Sequence, residues 1–593
     1  MHLSTLSPSV LVSLTLTLAA SATPVNRVDA AVSRSGSPRG LFLQELLAQS
    51  PSYGGFRGNR TQSGKSNPRV GIIGGGVGGL YAAMLLDSLD VDYEILESSE
   101  RVGGRVYTHR FDEERWQVSE PGEPDYYDYY DVGAMRLPVL EWQDRIIGKA
   151  NNSLVTYINS KLSSDERPIK LIPYMFAANN TFNFYNDKLI QNKIKSAEAF
   201  NVPIAGGTTY DSKTFAALSP DALFQDLFLS MFKGFGTNFD SFYKQMLLHD
   251  GISVREFLAQ QGLSAEQINW LETVNFGTTH FNSFSLTQLV MELWTFSANK
   301  WLCVEGGMDR IPQGMAKILK RSVELGKRVT AIKSDPSSHG LSVVVNGGEE
   351  RVYDHVISTA PLGALQAIDM TELNLDYRRK LAIRKLQYDT IGKIGIKFKS
   401  RWWETLASGP IRGGQSFTDL PIRTCVYPSY GIDTHDAPGT MIASYSWAQD
   451  SARLRSYFGQ DKGRDAVLDL TLRSLAALHN VSIDFLKSQY LDSHLWNWYN
   501  SPDTVGGLAM FGPSDYTTVM PPLMMPAVDG KLHLAGEAMS SGHAWIIGAV
   551  NSAYRSVAEV LAVEGLDHKL LQLTDMWGTT DEVDMKWYSG AFA

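Results

Sequence analysis

The sequence predicts an α/β protein of more than one domain, on three observations. Residues 70–97 read as a strand, a glycine-rich turn, a helix and a second strand, which is how a βαβ unit begins. Residues 139–303 show apolar residues mainly at helical spacing, whereas strand-like alternation returns over residues 328–361 and 393–448. Because hydrophobic cores stop growing at about 250–300 residues, a chain of 593 residues is expected to form two or three domains.

Composition and charge narrow the classes of function. An apolar fraction of 44% with 20% charged residues is typical of a folded protein and excludes disordered and collagen-like classes for most of the chain. The net charge of −9 is small for this length and the basic residues are scattered, so no nucleic-acid partner is expected. The two cysteines, Cys303 and Cys425, provide no disulfide framework, and a single bridge between them is left open.

The N-terminal residues 1–22 are typical of a secretory signal peptide. An apolar stretch over residues 11–20 is followed by Ala20-Ser21-Ala22, which fits a small-x-small cleavage pattern. The stretch is too short for a permanent anchor, so we expect a secreted protein with no membrane partner. Residues 23–66 are rich in Ser, Gly, Arg and Pro and are predicted to be a propeptide or an N-terminal arm. Tripeptides of the form N-x-S/T agree with secretion and begin at Asn59, Asn151, Asn179 and Asn480.

The first glycine cluster lies between the first strand and its helix. Its glycines fit the spacing G-x-G-x-x-G in the strand-turn-helix context that a dinucleotide site requires. The first glycine permits a tight turn, the second lets a pyrophosphate approach the backbone, and the third allows close packing of helix on strand. The phosphates then lie against free N–H groups at the helix N-terminus. The cofactor-binding residues predicted here are Gly74, Gly76, Val77, Gly78 and Gly79.

A carboxylate follows this unit at the expected distance. Glu97 ends the second strand, about 20 residues after the glycine turn, where it can accept hydrogen bonds from both hydroxyls of an adenosine ribose. A carboxylate in that place disfavours a 2′-phosphate. The sequence therefore predicts a dinucleotide without that phosphate, with Glu97 among its ligands.

A second glycine pair, in the segment RVGGR at residues 101–105, distinguishes between dinucleotides. It resembles the second signature of the flavin amine oxidases, whose arginine supports the FAD pyrophosphate by charge-assisted hydrogen bonds. The resemblance continues in LHLAGEAMSSGHAWIIGAVNSAYRSVAEVL near the C-terminus. It implies that Arg105 binds the FAD pyrophosphate and that Glu537 holds the ribityl chain. The monoamine branch carries its flavin on a cysteine near this motif, and no cysteine follows Cys425 here, so the resemblance implies non-covalent FAD.

Within the family, the segment YDVGAMRLP at residues 130–138 looks like that of L-amino acid oxidases, including those of snake venoms and fungi. Their arginine at the position of Arg136 binds the substrate carboxylate. A planar guanidinium gives a bidentate, permanently charged clamp on a carboxylate, and simple amines have no group to place against it. The resemblance also implies that the flavin contacts this segment through Gly133, Ala134, Met135 and Arg136.

The family resemblance also implies roles for further residues of this sequence. The resemblance makes Tyr445 the second carboxylate contact and Lys393 the catalytic lysine that holds a water beside flavin N5. Trp498 matches the tryptophan beside the isoalloxazine ring, and Val329 matches a position that contacts the adenine. Substrate and flavin contacts are also implied for Trp447, Ala544, Trp545 and Ile546. No metal site is predicted.

The sequence departs from the venom enzymes in one respect. They carry an active-site histidine upstream of their GGMD segment, and the corresponding stretch here has none. His280 lies nearby, and we interpret it as structural rather than as a base. Glu292 could meet a cationic side chain, although packing or solvation is its simpler interpretation, and we expect a bulky or cationic L-amino acid as substrate.

These observations define the expected architecture. We predict an α/β fold with a Rossmann-like FAD-binding domain of the glutathione-reductase type, a mixed-sheet substrate domain and a helical insertion. The FAD-binding domain is expected over residues 67–138, 304–365 and 490–562. The helical domain is expected over 139–303, the substrate-binding domain over 366–489, and a C-terminal tail over 563–593.

The function expected from the resemblance is that of a secreted FAD-dependent L-amino acid oxidase. Such an enzyme uses dioxygen and water to convert an L-amino acid into a 2-oxo acid, ammonia and hydrogen peroxide. A homodimer is left open. Two alternatives stand beside this function: a monoamine or polyamine oxidase of the same fold, and a secreted binding or defence protein without catalysis.

Overall fold

The computed structural model describes residues 38–50, 67–191, 194–224, 226–228, 239–459 and 461–588. The predicted signal peptide, most of the segment 23–66 and the tripeptide at Asn59 lie outside these ranges. The three other N-x-S/T asparagines, Asn151, Asn179 and Asn480, are exposed.

A four-stranded parallel sheet forms the first core. Its strand order is Asp92–Leu96, Arg69–Ile73, His355–Ser358 and Leu532–Leu534. The short apolar run RVGII is buried after its first residue, as expected for a parallel strand that is covered on both faces. The helices Val77–Ser88 and Ile546–Val563 pack against each other within the same hydrophobic cluster. The predicted Rossmann-like arrangement is therefore confirmed, since the first and last motifs of the sequence meet in one sheet.

An antiparallel three-stranded sheet precedes the third strand of the parallel sheet. It consists of Val329–Asp335, Gly340–Val345 and Glu349–Tyr353. The middle strand, GLSVVV, is buried throughout, because one face lies on the parallel sheet and its neighbours cover its edges.

A seven-stranded mixed sheet forms the second large layer. Its strand order is Tyr490–Asn497, Gly392–Phe398, Gly439–Ser446, Thr424–Val426, Gln415–Thr418, Phe182–Tyr185 and Lys188–Gln191. The contact between Gln415–Thr418 and Phe182–Tyr185 is parallel, whereas the other neighbours are antiparallel. The mixed sheet expected from the sequence is present.

The composition of this sheet differs from the domain ranges expected above. Two of its strands come from residues 182–191, inside the predicted helical range 139–303, and one comes from 490–497, beyond the predicted end at residue 489. Strands of four residues carry too few alternations to stand out among helices. The strand at 490–497 lies at the sheet edge and is mostly half-buried or exposed, so its alternation is weak as well.

The region 139–303 is otherwise largely helical. Ser253 and Ser264 each begin a helix with a capping box. In this motif the serine hydroxyl accepts a hydrogen bond from the backbone N–H three residues later, and the side chain of that later residue, Glu256 or Gln267, accepts from the backbone N–H of the serine. The helices are Asp144–Ile147, Leu154–Lys161, Ser212–Ala217, Phe239–His249, Val254–Gln260, Ala265–Asn275, His280–Ser283 and Leu286–Thr295. Short strands also lie here, because Leu171–Pro173 and Trp301–Val304 pair with each other and Trp301–Val304 pairs with Leu137–Pro138.

The two ends of the described chain meet beside the last helix. The helix Pro38–Gln49 buries five apolar side chains, and Arg39, only 2% exposed, bonds to Thr295 Oγ1 at 2.6 Å and to Ser541 O at 3.4 Å. Gln44 donates to Asp581 O at 2.7 Å. Glu582 accepts from the hydroxyls of Ser540 and Ser541 at 2.6 and 2.7 Å. The tail, for which the sequence indicated no task, is therefore part of the packing around the segment 540–545.

The remaining elements connect these layers. The other helices are Glu113–Val118, Arg310–Ile318, Leu362–Leu365, Tyr377–Lys385, Ala448–Arg455, Asp461–His479, Ile483–Gln489, Asp515–Thr518, Met520–Met524 and Asp567–Trp577. Two further strand pairs are Thr108–Arg110 with Tyr129–Asp131 and Gln387–Tyr388 with Ala509–Met510. Of the described helices, Ile546–Val563 alone has the length and apolarity to cross a membrane, and 94% of it is buried inside the protein. Both cysteines are buried and free, so the open question of a bridge is answered against it.

Candidate active site

A single continuous cavity of about 1240 Å³ runs between the parallel sheet, the mixed sheet and the helical region. It begins at the glycine turn of residues 74–79 and ends among aromatic side chains of the helical region, near His280. All the predicted site residues except Gly79 line it. The volume exceeds the 300–1,000 Å³ typical of a small-molecule site, so there is room for a dinucleotide and a substrate together.

The first glycine turn has the geometry that its spacing predicts. Gly74 has a φ of +106°, which an L side chain rarely adopts, and its N–H donates to Leu96 O at 2.8 Å. A Cβ on Gly79 would lie 1.9 Å from Gly74 O, so only glycine lets the helix approach the strand this closely. Gly76 caps the helix without a side-chain bond, and a Cβ there would meet nothing nearer than 4.0 Å. The N-terminus of this helix is therefore open toward the cavity, alongside Val77 and Gly78.

The second glycine pair lies directly on the first. Gly103 N–H donates to Gly75 O at 2.9 Å, and Gly103 and Gly104 have φ values of +102° and +55°. The loop 101–105 thus closes over the turn by backbone contact. The positive φ values explain why this second loop needs glycine, and a Cβ on Gly103 would also lie 2.6 Å from Val106 O.

Glu97 lines the cavity, but its carboxylate already accepts hydrogen bonds. Oε2 accepts from Gly75 N–H at 2.6 Å, and Oε1 accepts from the N–H and the hydroxyl of Ser99 at 2.8 and 2.6 Å. The glutamate thus ties the glycine turn to the end of the second strand. The Ser98 hydroxyl also donates to Oε1, at 3.5 Å, whereas Oε2 accepts a single hydrogen bond. A carboxylate oxygen offers about two acceptor positions, so Oε2 can still accept from a ribose hydroxyl.

Arg105 and Glu537, assigned to different parts of the cofactor, form an ion pair with each other. Arg105 Nη1 donates to Glu537 Oε1 at 2.8 Å and to Gly507 O at 3.1 Å. Glu537 Oε2 accepts from the N–H of Ala544, a residue with a φ of +67° in the left-handed region. The position where the family has glycine therefore keeps the glycine-like backbone although it carries a methyl group here.

The remaining residues assigned to the cofactor spread along the cavity. Val329 begins the antiparallel sheet near the glycine turn, and Ile546 begins the last helix. Trp498 is 3% exposed and lies against Gly133, where a Cβ would come within 3.1 Å of its ring. Ala134 N–H donates to Arg105 O at 3.2 Å, which fixes the segment 133–136 against the second glycine loop.

Arg136 lies in the cavity within a box of aromatic rings. Its guanidinium carbon is 4.7 Å from the centroid of Phe176 and 5.7 Å from those of Phe296 and Trp301. Nη1 donates a long hydrogen bond of 3.5 Å to the hydroxyl of Tyr174. Across the described ranges, no carboxylate forms an ion pair with this arginine. The aromatic faces stabilise its charge while its hydrogen-bond donors remain largely unused.

Tyr445 and Trp447 project from the end of the strand Gly439–Ser446. Their ring centroids are 4.2 Å apart, and Lys393 Nζ lies 4.7 Å from the ring centroid of Tyr445. Burial raises the pKa of the Tyr445 phenol, on which the charges of Arg136 and Asp389 also act. The tyrosine is thus the un-ionised donor that a carboxylate ligand needs. The ring centroid of Trp545 lies 5.9 Å from that of Trp301 and 6.0 Å from that of Phe296, so Trp545 contacts the aromatic box around Arg136.

Lys393 is a buried amine held by backbone oxygens. Its Nζ donates to Asp131 O at 2.9 Å and to Gly133 O at 2.8 Å, and the side chain of Met135 lies at 3.6 Å. Burial lowers the pKa of this lysine, and Asp131, whose own pKa burial raises, opposes that effect. A neutral amine with two donated bonds has a lone pair free to accept from water.

Asp389 was not identified from the sequence. It is 3% exposed, lines the cavity, and accepts from Ala448 N–H at 3.0 Å through Oδ1. Its Oδ2 has no hydrogen-bond partner and lies 3.8 Å from His280 Nε2. Since Asp389 belongs to no motif quoted above, only its place four residues before Lys393 could have drawn attention to it. The aromatic box around Arg136 was missed too, because its rings come from two stretches that are far apart in sequence, 174–176 and 296–301.

The open helix N-terminus, the loop 101–105 and the carboxylates of Glu97 and Glu537 fit a dinucleotide. The positive end of a helix and free N–H groups suit a pyrophosphate, while carboxylates suit hydroxyl groups. The aromatic half of the cavity suits a flat ring system and a small carboxylate ligand. Within the part of the chain that is described, no cluster of side chains suited to a metal ion is found.

The chain is similar to proteins that are named as L-amino-acid or amine oxidases. L-amino-acid oxidase 4 of Hebeloma cylindrosporum is 36% identical, with the match covering 91% of this chain and 90% of that protein. The L-amino-acid oxidase of Siganus canaliculatus is 28% identical, over 83% and 85%. A protein of Dictyostelium discoideum named as a bifunctional amine oxidase is 36% identical over 96% of this chain, which spans about half (54%) of that relative's length.

Solved structures and a family description complete the comparison. Putrescine oxidase bound to putrescine matches with a TM-score of 0.62 at 17% identity, over 84% of this chain and 99% of that one, which shows a shared fold. The family described as flavin-containing amine oxidoreductases matches residues 77–561. The chain therefore belongs to the flavin-containing amine oxidoreductase family, whose cofactor is a flavin.

Proposed function

We propose that the protein is a secreted L-amino-acid oxidase that uses non-covalent FAD. One observation carries this proposal: Arg136 faces the cavity with its charge stabilised by aromatic rings and with no acidic partner in the described ranges. A half-buried guanidinium that faces a cavity without a counter-ion is suited to an anionic ligand. An amino acid supplies a carboxylate for it, whereas a simple amine supplies none.

The relatives named as L-amino-acid oxidases support the same choice. Two of them match most of this chain and most of their own length. The likeness to putrescine oxidase rests on 17% identity and concerns the fold, so it does not favour an amine substrate.

Non-covalent attachment is supported by the cysteines of the described chain. Cys303 and Cys425 are both buried and neither lines the cavity, so neither thiol can reach a ring bound there. Burial also raises the pKa of both thiols, which keeps them protonated and unreactive.

Each residue then has a definite task in the proposed reaction. FAD, when bound, supplies the acceptor for a hydride from the substrate Cα and passes two electrons to dioxygen. Arg136 and Tyr445 hold the α-carboxylate by hydrogen bonds. Trp498 and Trp545 wall the cavity, exclude water and limit the orientations of the substrate. Lys393, within the same cavity, would hold a water and supply a proton during the reaction of dioxygen.

The overall reaction balances without a further co-reactant. The amino acid loses two hydrogens to give an imino acid, which water converts to a 2-oxo acid and ammonia. Dioxygen receives the two electrons and two protons and leaves as hydrogen peroxide.

The decisive experiment is the visible spectrum of the purified protein before and after anaerobic addition of substrates. We expect flavin bands that are bleached by a mixture of L-amino acids and remain unchanged with D-amino acids or putrescine. Acid precipitation should release the flavin into the supernatant as FAD. Bleaching by putrescine alone would overturn the proposal in favour of a polyamine oxidase, and absence of flavin bands would favour a protein without catalysis.

Secretion is proposed from the predicted signal peptide and the three exposed N-x-S/T asparagines. In the native host the protein is expected in the culture fluid, starting after residue 22 and losing mass on treatment with a glycosidase. Recovery of the unprocessed chain inside the cells would contradict this.

A further inference from the structure

A buried carboxyl group beside the proposed carboxylate clamp has an unused oxygen. Asp389 is fixed by its backbone, since its N–H donates to Leu508 O at 2.8 Å and its carbonyl accepts from Gly507 N–H at 2.9 Å. Its Oδ1 accepts from Ala448 N–H, but Oδ2 has no partner. In the described ranges, no lysine or arginine forms an ion pair with it. A buried acceptor left unpaired is costly, which indicates that a ligand completes this group.

His280 lies against the same oxygen and is equally unsatisfied. Both its ring nitrogens are buried without hydrogen-bond partners, and Nε2 is 3.8 Å from Asp389 Oδ2. The ring is held between Phe276 and Phe284, at centroid distances of 5.6 and 4.8 Å. Burial lowers the pKa of His280 to about 4, so the ring is neutral and offers an acceptor nitrogen. The two side chains thus present a matched pair of unused acceptors to the cavity.

This pair lies next to the proposed site of the α-carboxylate. Ala448, which donates to Asp389, directly follows Trp447, whose ring lies 4.2 Å from that of Tyr445. The charges of Arg136 and Asp389 both act on the hydroxyl of Tyr445, and all three residues line the same cavity. A ligand held by its carboxylate at Arg136 would extend past the rings of Tyr445 and Trp447 before it reaches Asp389.

We propose that Asp389 and His280 form the subsite for a positively charged substrate side chain. The substrate class is then an L-amino acid with a terminal ammonium or guanidinium group, such as lysine, ornithine or arginine. Its cation donates to Asp389 Oδ2 and to the acceptor nitrogen of His280, while the aliphatic stem lies among Trp447, Phe276 and Phe284. This inference rests on the proposed function, because it takes the α-carboxylate to be bound at Arg136.

A second acid in the same cavity provides a contrast. Glu292 also lines the cavity, but its Oε1 already accepts from Gln288 Nε2 at 3.1 Å, and the charge of the buried Arg39 acts on it. Glu292 thus has a hydrogen-bond partner and lies in the field of a buried arginine, whereas Asp389 Oδ2 has no partner. From the sequence, Glu292 could meet a cationic side chain, with packing or solvation as its simpler interpretation, and the geometry favours Asp389 for that contact.

The first test compares substrates that differ in charge and little in shape. The holoenzyme is assayed for peroxide with L-lysine, L-norleucine and L-glutamine, and the same is done for Asp389→Asn and Glu292→Gln. We expect the wild type to prefer L-lysine, and Asp389→Asn to lower its kcat/KM for L-lysine relative to L-norleucine by about 10- to 100-fold. Glu292→Gln is the matched control, in which this ratio should stay unchanged. Asparagine keeps an oxygen for Ala448 N–H, so the variant is expected to fold.

A binding measurement separates the subsite from the reaction. The probes are 6-aminohexanoate and hexanoate, which carry the carboxylate but no α-amino group, and binding is read from the shift of the flavin spectrum. At least tenfold tighter binding of 6-aminohexanoate, lost in Asp389→Asn, supports the subsite. Equal binding of the two probes, or a wild type that prefers L-norleucine or L-glutamine, overturns it while leaving L-amino-acid oxidation intact. Failure of every amino acid to bleach the flavin would instead reject the proposed function, whatever the two probes show.

Discussion

The two halves of the cavity are built by different means. The nucleotide half is made from backbone groups of two glycine loops, 74–79 and 101–105, which are close in sequence and bonded to each other. The substrate half is made from side chains, and the box around Arg136 draws its rings from two stretches that are far apart in sequence, 174–176 and 296–301. A short local pattern can specify the first half. The second exists only after the mixed sheet and the helical region have packed together.

The largest effect is expected where the nucleotide half depends on backbone contact. In Gly79→Ala the new Cβ would lie 1.9 Å from Gly74 O, so the helix must move off its strand. We expect little soluble protein, and none with flavin bands. Gly76→Ala is the matched control, because its Cβ would meet nothing within 4.0 Å and would project toward the cavity. That variant should fold, with a melting temperature near that of the wild-type apoprotein, and bind FAD more weakly. Equal FAD content in Gly79→Ala and Gly76→Ala would contradict the expected difference between the two variants.

The next effect concerns the guanidinium in the substrate half. Arg136→Ala removes a charge-assisted pair and should cost about 2–5 kcal/mol of transition-state binding, seen as a fall in kcat/KM for L-amino acids of roughly 30- to 5,000-fold. The flavin spectrum should remain, because the nucleotide half is untouched. Arg136→Lys keeps the charge without the bidentate geometry and should recover part of the loss. Unchanged kinetics in Arg136→Ala would reject the carboxylate clamp.

The smallest effect is expected at Lys393, where the two halves meet. Lys393→Met should slow reoxidation of the reduced enzyme by dioxygen on the order of tenfold, with the anaerobic half-reaction little changed. Burial lowers the pKa of this lysine below its ordinary value of 10.5, so its positive charge is present at low pH and lost as pH rises through the lowered pKa. The wild-type reoxidation rate should fall across that range, because the charge favours negative charge on oxygen. Stopped-flow measurements from pH 6 to 9 should show this fall in the reoxidation rate for the wild type and no such fall for Lys393→Met.

Sequence patterns predicted the nucleotide half well, for a physical reason. The turn at Gly74, the close approach at Gly79 and the bridge from Gly103 to Gly75 each require glycine, so composition and geometry are tied residue by residue. The parallel sheet followed from apolar runs that adjoin these motifs. The resemblance of the last motif placed Glu537 near the same site, although its ion pair with Arg105 could not be read from either segment.

The mixed sheet and the substrate half of the cavity depend on packing between distant segments, which no local sequence pattern predicts. Short strands at 182–191 join a sheet more than 200 residues further on, and their four-residue lengths carry too little periodicity to be noticed. Asp389 is an ordinary residue in sequence and becomes notable only because its Oδ2 is buried unpaired beside His280. Similarly, nothing in the composition of residues 23–66 indicated that Arg39 would reach Ser541.

That meeting of the chain ends has a consequence for how the protein can be handled. Arg39 donates to Ser541 O, the Ser541 hydroxyl donates to Glu582, and Gln44 donates to Asp581 O, next to Glu582. Ser541 lies three residues before Ala544 and four before Trp545, which form part of the cavity wall. Trimming either terminus to shorten the protein would therefore remove supports of the reaction chamber itself. The first and last segments of the described chain belong to the catalytic unit as much as the glycine loops do.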